Sequence, residues 1–371
     1  MAYDTVISVI TEMSDTTIAT ALPAVPSPSH PVHSLRIIIP GGEGHLGRLL
    51  ARRFSDSGHS VTTFTRSPRR TGHPKPWKTL HWDGCQLGPW TESLEDADVL
   101  INLAGRSVDC RYNSRNRDEI LRSRVESTAV LGDAIQALRH PPRLWLNAST
   151  ATIYRHTYER AMDEATGELG GNEPDAPSPW QFSIDVARQW EHSFFGSHTH
   201  QTRKIAMRAA MVMSTEPGGI FSIMLRLVRM GLGGAWGTGR QYMSWIHEAD
   251  FFRAVEFLIQ HEEISGAVNL AAPNPLPNSQ FMSVLRDAWG IRFGLPSQEW
   301  MLAVGAFFLR TEKELLLKSR RVVPAILQKH GFDFSFPGWS GAAQDLVQRW
   351  RQQASVANAD EFNSKHLGGD K

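Results

Sequence analysis

At 371 residues, with 41% hydrophobic residues and 12 tryptophans, the chain is long enough to bury a large core and to hold one large domain with a smaller one. Lys+Arg 39 against Asp+Glu 38 leaves a formal charge of +1, so no global field recruits nucleic acid or an anionic membrane. The two cysteines, Cys85 and Cys110, lie far apart without metal-type spacing, which excludes a disulfide framework and fits a reducing, cytoplasmic setting.

Residues 1–34 carry Asp4, Glu12 and Asp15 but no Lys or Arg, and finish in ALPAVPSPSH. They lack the basic start of a secretory signal and the arginines of a mitochondrial presequence, and are expected to be a disordered extension.

The chain then reads LRIIIPGGEGHLG. A short apolar run predicts a buried strand. Gly41, Gly44 and Gly47 predict a tight turn that brings backbone N–H groups close to a pyrophosphate, and Leu46, Leu49, Leu50 and Phe54 mark one face of the helix that follows, ended by Gly58. The next strand, residues 59–65, ends in Thr65 and Arg66, with Arg69 and Arg70 behind, where an NAD-selective site usually carries an acid for the ribose hydroxyls. Guanidinium groups suit a 2′-phosphate, so NADP is favoured over NAD.

Further strand-like runs fall at residues 79–82, 99–103, 144–147 and 205–212, alternating with helical segments. The pattern predicts an α/β fold with a doubly wound parallel sheet. A long helix is marked between residues 117 and 138 by Ile120, Leu121, Val125, Thr128, Leu131 and Ile135, and Pro141 and Pro142 close it. After Val212 the chain turns glycine-rich and aromatic, an excursion expected to cover the ligand before a helix and strand, residues 251–270, return to the sheet. The resulting division is a dinucleotide-binding domain at 35–272, a small, mostly helical substrate-side lobe at 273–350 and a polar tail at 351–371. The apolar run from Trp300 to Leu309, ten residues, is about half of what a membrane span needs and is expected to be a buried helix or a pocket wall. No HExxH, CxxC or basic-aromatic cluster is present, so neither a metal site nor a nucleic-acid partner is expected.

The blocks PGGEGHLG, VLINLAGRSV, RDEILRSRVEST, GTGRQYMSWIHEADFFRAVEFL, ISGAVNLAAPNPLPNSQFM and RRVVPAILQKHGFDFSFP together resemble the extended short-chain dehydrogenase/reductase superfamily of the NAD(P)-dependent epimerase/dehydratase type. They resemble in particular its atypical branch with a short C-terminal domain of unknown function. That resemblance implies a Rossmann-type sheet with NADP across the strand ends. Gly41, Gly42, Gly44, His45, Leu46 and Gly47 would hold the pyrophosphate, Arg66 the 2′-phosphate and Asp83 the adenine side, while Asn102, Leu103, Ala104 and Gly105 correspond to the family's NxAG element.

The resemblance also implies a tyrosine with a lysine four residues on, and a Ser or Thr at the end of the fifth strand. Thr150 falls at the hydroxyl position, with Ser149 beside it as a substrate contact. The expected tyrosine–lysine helix, residues 179–195, contains neither residue; Phe182 or Ser183 and Val186 or Ala187 stand there. Between Lys78 and Lys313 the only lysine is Lys204, just before a strand. Tyr154 is therefore the candidate phenol, with Arg124, Arg155, His156 and Arg208 as candidate cations. Arg124 replaces the asparagine usual at that point of the long helix. Arg240, Gln241 and Trp245 are candidate contacts for an acidic or planar small-molecule substrate, whereas His247 and Asp250 are expected to anchor the returning strand and cap the next helix. Two functions remain open: an NADP-dependent oxidoreductase or epimerase with an altered proton donor, and a catalytically silent NADP(H) sensor. Self-association as a homodimer is equally open.

Overall fold

The computed structural model describes residues 34–67, 75–171, 173, 178–216, 218–296 and 318–367. Arg69, Arg70, the run from Trp300 to Leu309 and the extension before Ser34 lie outside the described residues. From Leu35 onward the chain forms one compact unit.

Seven parallel strands make the central sheet. They are β1 (Arg36–Pro40), β2 (Ser60–Thr65), β3 (Lys78–His81), β4 (Val99–Asn102), β5 (Leu144–Thr150), β6 (Arg203–Ala209) and, last in the chain, β10 (Gly266–Leu270). Their spatial order is β10-β6-β5-β4-β1-β2-β3. The chain therefore winds outward from β1 in one direction and then in the other, and the crevice beyond the strand ends opens where that direction reverses, between β1 and β4. The expected strand at 205–212 breaks after Ala209. Its second half, β7 (Met211–Met213), leaves the sheet to pair with β9 (Trp245–His247), which follows the short β8 (Tyr242–Met243).

Alternation of side chains explains the two-sided burial. Ile37 and Ile39 face one way, with α1 (His45–Asp56) and α5 (Glu248–Gln260), while Ile38 and Leu100 face the other, with α2 (Ser114–Ala137) and α3 (Ser178–Gly196). Each of these residues is 3% exposed or less, and burying one such side chain contributes about 1.5–3 kcal/mol. Asn113 starts α2 by accepting a hydrogen bond from Asn116 N at 2.8 Å, four residues earlier than the apolar period alone indicates.

A second apolar core joins α4 (Ile220–Arg229) to α6 (Asn278–Trp289) and to the first turns of α8 (Trp339–Leu367). Phe281 stacks on Trp339 at 4.0 Å, and Trp245 meets the same ring at 5.0 Å. Between α6 and α8, the short α7 (Ala325–Lys329) packs beside β10. His247 caps α5 by accepting from Ala249 N and bonds Asp345 on α8 at 3.1 Å, while Asp250 accepts from Ser335 N and Phe336 N. The anchoring read from the sequence for these two residues is what they do. Burial pushes the Asp345 carboxyl up, but His247 and Arg349 outweigh it and hold the group below its usual range. Among the described residues no helix is long and apolar enough to cross a membrane.

Candidate functional site

The glycine turn sits at the mouth of the crevice. Gly41 has a φ of +77°, and a side chain there would press within 2.6 Å of the Leu103 carbonyl oxygen. At Gly47 a side chain would collide with the Gly41 carbonyl and with Gly42, so α1 closes onto the turn only because position 47 is bare. The first helical bond of α1 runs from Arg48 N to Gly44 O, no side chain caps the end, and no acid stands in the first turn. The amides of Leu46 and Gly47 are thus left without helical acceptors, a ready site for an anion.

This turn, the ends of β2 and β3, the residues after β4 and one face of α2 enclose a cleft of about 530 Å³. Gly41, Gly44, Arg66, Asp83, Leu103, Ala104 and Gly105 line it. Five other residues expected at the nucleotide, Gly42, His45, Leu46, Gly47 and Asn102, are not among those that line it. Asn102 is fully buried: its amide donates to Asn147 at 2.7 Å while its carbonyl accepts from Ala104 N at 3.0 Å, which fixes the turn after β4. Asp83 accepts from Cys85 N and Gln86 N, both at 2.9 Å, and these bonds hold its carboxyl below the usual range.

Sequence reasoning missed two parts of the wall. Glu43, inside the glycine turn, carries a carboxylate that Lys75 neutralises at 2.6 Å. Glu119, Ser123, Glu126 and Ser127 line the cleft from α2; their three-to-four-residue spacing is the polar counterpart of the apolar period that marked the helix.

The expected chemical centre is arranged differently from its prediction. β5 runs on to Thr150, whose Oγ1 accepts from Thr152 N at 3.1 Å and starts a 3-10 turn over Ala151–Ile153. That turn rotates Tyr154 inward, to 1% exposure. Its hydroxyl donates to Asn269 Oδ1 and accepts from Arg208 Nη1, both at 2.9 Å. Burial raises the Tyr154 phenol above its ordinary value and Arg208 only partly opposes this, so the hydroxyl clasps β10 to β6 through its two hydrogen bonds. Tyr154→Phe is expected to cost about 1–3 kcal/mol of stability in urea denaturation and to leave nucleotide affinity unchanged in calorimetry. Unchanged stability with lost turnover would return Tyr154 to the site.

Ser149 is buried and donates to Glu191 Oε1 at 2.6 Å. Trp245 is fully buried against Trp339. Arg240 stays exposed with its guanidinium 5.7 Å from the Tyr158 ring centre, outside the cleft described above. Arg208 and Arg155 are held by Glu191 and Glu168 respectively. His156 accepts from Ser319 N at 2.9 Å, and burial, with the charge of Lys318, pulls its pKa down.

Lys204, the one lysine near in sequence, caps the far end of α3 by donating to Phe195 O and Ser197 O at 3.1 and 2.8 Å. The ammonium near the hydroxyl strand comes instead from Lys318, which is 1% exposed and donates to Thr152 O at 3.0 Å. On α3, Phe182, which with Ser183 is one of the two residues expected at the tyrosine position, is flanked by Tyr112 and Arg117 at 5.2 and 5.0 Å.

A strand order that reverses at β1, with a glycine turn and an uncapped helix at the reversal, defines a Rossmann-type α/β protein. The chain belongs to the NAD dependent epimerase/dehydratase family, which it matches over residues 37–271, and residues 299–346 match a domain of unknown function, DUF1731. It is 32% identical over 302 residues to the epimerase family protein ML0860 of Mycobacterium leprae, an alignment covering 80% of this chain and 91% of the relative. The human epimerase family protein SDR39U1 is 27% identical over 317 residues, 84% of this chain and all of the human protein. The crystal structure of human SDR39U1 (isoform 2) with NADPH superposes with a TM-score of 0.73 at 27% identity, covering 85% of this chain and 99% of that one. A UDP-N-acetylglucosamine 4-epimerase from Bacillus cereus, 18% identical with a TM-score of 0.64 over 86% of this chain and 97% of that one, shares the fold.

Proposed function

We propose that the chain is an NADP(H)-dependent oxidoreductase or epimerase of the extended short-chain dehydrogenase type, acting on a small polar metabolite. The observation that carries this reading is the shared cleft: the uncapped start of α1, Arg66 and Asp83 all border one space. The NADPH held by the human relative supports a phosphorylated nucleotide. When bound, the nicotinamide supplies or accepts a hydride.

The chain's own residues supply the rest. The amides of Leu46 and Gly47 meet the diphosphate, Arg66 meets the 2′-phosphate, and Asp83 borders the adenine end. Thr150 uses its oxygen to accept from Thr152 N, which leaves its O–H to donate to a substrate oxygen. Lys318, bonded to the carbonyl of the same Thr152, is the cation we assign to that hydroxyl in place of the lysine absent from α3. The exposed thiol of Cys85, free like that of Cys110, fits a cytoplasmic setting.

The second reading is a catalytically silent NADP(H) sensor, and the observation favouring it is α3, which carries neither the tyrosine nor the lysine expected of it. A screen of sugars, ketones and quinones that follows NADPH absorbance separates the two. The enzyme reading predicts a turned-over compound whose rate falls about 100-fold or more in Thr150→Val while NADPH affinity is kept. NADPH binding without turnover anywhere in the panel would establish the silent reading.

A further inference from the structure

Of the arginines on and beside α2, Arg106 and Arg115 pair with Glu119 and Arg122 with Glu126 and Asp118, while Arg117 donates to the Tyr112 carbonyl and lies over the Phe182 ring. Among the described residues Arg124 has no carboxylate partner. Its one hydrogen bond within the protein runs from Nη1 to the Ile120 carbonyl, one turn back on its own helix, at 2.9 Å. A guanidinium offers five N–H donors, so most of its hydrogen-bonding capacity is unspent.

The surroundings hold this charge in place. The guanidinium lies 5.2 Å from the Trp190 ring centre, and Trp190 is itself fixed by a 3.0 Å hydrogen bond from Nε1 to Thr128 Oγ1. On the other side, a side chain at Gly105 would come within 3.2 Å of Arg124 Cζ, so the glycine that lines the cleft after β4 also makes room for the arginine. Burial pulls the Arg124 pKa down to about 10, and the only titratable neighbours that oppose it are a phenol and a thiol, Tyr112 and Cys110. Keeping an unpaired cation in such a place costs stability, and proteins retain that cost at sites where a ligand relieves it.

Position selects the ligand. Gly105 follows β4, and Trp190 belongs to the helix that precedes β6 and follows β5, so Arg124 stands on the Thr150 side of the β4 turn. Arg66 and the start of α1 stand on the other side, by β1 and β2. We propose that Arg124 is the receptor for an oxoanion group of the substrate, a carboxylate or a phosphate, held next to the hydride-transfer centre. The proposal rests on the reading of the cleft as a nicotinamide nucleotide site, and it narrows the substrate to an anionic metabolite. The planar guanidinium matches either oxoanion with two parallel hydrogen bonds, and the Trp190 face fixes its orientation.

The test uses the full chain with oxalate and inorganic phosphate as anionic probes and oxamide as the neutral control, each titrated with and without saturating NADP+. Tryptophan fluorescence reads binding, since Trp190 touches the receptor, and Tm reads it independently. Oxalate or phosphate is expected to bind the NADP+ complex and raise its Tm, with oxamide inert; whichever anion binds more tightly identifies the group. In Arg124→Gln that affinity falls about 10-fold or more, in Arg124→Lys it is partly kept, and NADP+ affinity is unchanged in both. Equal anion affinity in wild type and in both variants would overturn the proposal. So would a loss of NADP+ affinity in Arg124→Gln matching the loss of anion affinity, which would make Arg124 a cofactor residue. If NADP+ fails to bind the wild type but the anion still binds through Arg124, the receptor stands and the nucleotide reading falls.

Discussion

Arg66→Ala is expected to weaken NADPH binding about 10- to 100-fold and to leave NADH binding nearly unchanged, the equivalent of about 1.5–3 kcal/mol for charge-assisted hydrogen bonds to one phosphate. Arg66 stands exposed at the end of β2 on the cleft wall, and no carboxylate among the described residues neutralises it. Its guanidinium therefore has no partner among the described residues to lose, and the substitution should leave Tm almost unmoved. Because the site is solvent-exposed, the preference for the phosphorylated nucleotide should shrink as salt rises. A variant that retains the wild-type preference would move the 2′-phosphate away from β2.

Arg208→Met is expected to have the largest effect on stability, a loss of about 3–5 kcal/mol in urea denaturation. Arg208 binds Glu191 through two bonds of 2.8 Å, Nε to Oε1 and Nη2 to Oε2, and both side chains are 10% exposed. Burial works against the charge on Arg208, but Glu191 and Tyr154 outweigh it, and the net effect raises its pKa. Removing the arginine strands a buried carboxylate that, among the described residues, keeps Ser149 as its partner, and it frees the Tyr154 hydroxyl from one of its two bonds. The double variant Arg208→Met with Glu191→Leu should lose less than the sum of the two single losses, because the stranded charge disappears with its partner. A single loss under about 1 kcal/mol would mean that water screens the pair.

What the sequence could and could not reveal follows from the range of the interactions involved. The sheet was legible because burial on both faces writes itself into short apolar runs, such as Ile37 to Ile39, and because the glycine turn, its helix and Arg66 are consecutive. The cleft residues on α2 carry a weaker signal, a polar face seen only once the helix is placed.

The chemical centre was less legible because it is assembled across long separations. Lys318 reaches Thr152 from 166 positions away, and Tyr154 reaches Asn269 from 115. Nor does sequence spacing reveal a turn such as Ala151–Ile153, which swings Tyr154 from the strand end into the core. Likewise, Ser149 reads as a substrate contact from sequence alone, which gives no sign that its hydroxyl donates to Glu191, 42 residues on. Local pattern thus marks residues that line the cleft and carries no trace of the long-range bonds around Thr150.

The most direct measurement of the central claim is a calorimetric titration of the purified chain with NADPH and, separately, with NADH. Saturable heat at one nucleotide per chain, with NADPH the tighter ligand, is the predicted outcome. Absence of heat from both would contradict the assignment of the cleft to a nicotinamide nucleotide.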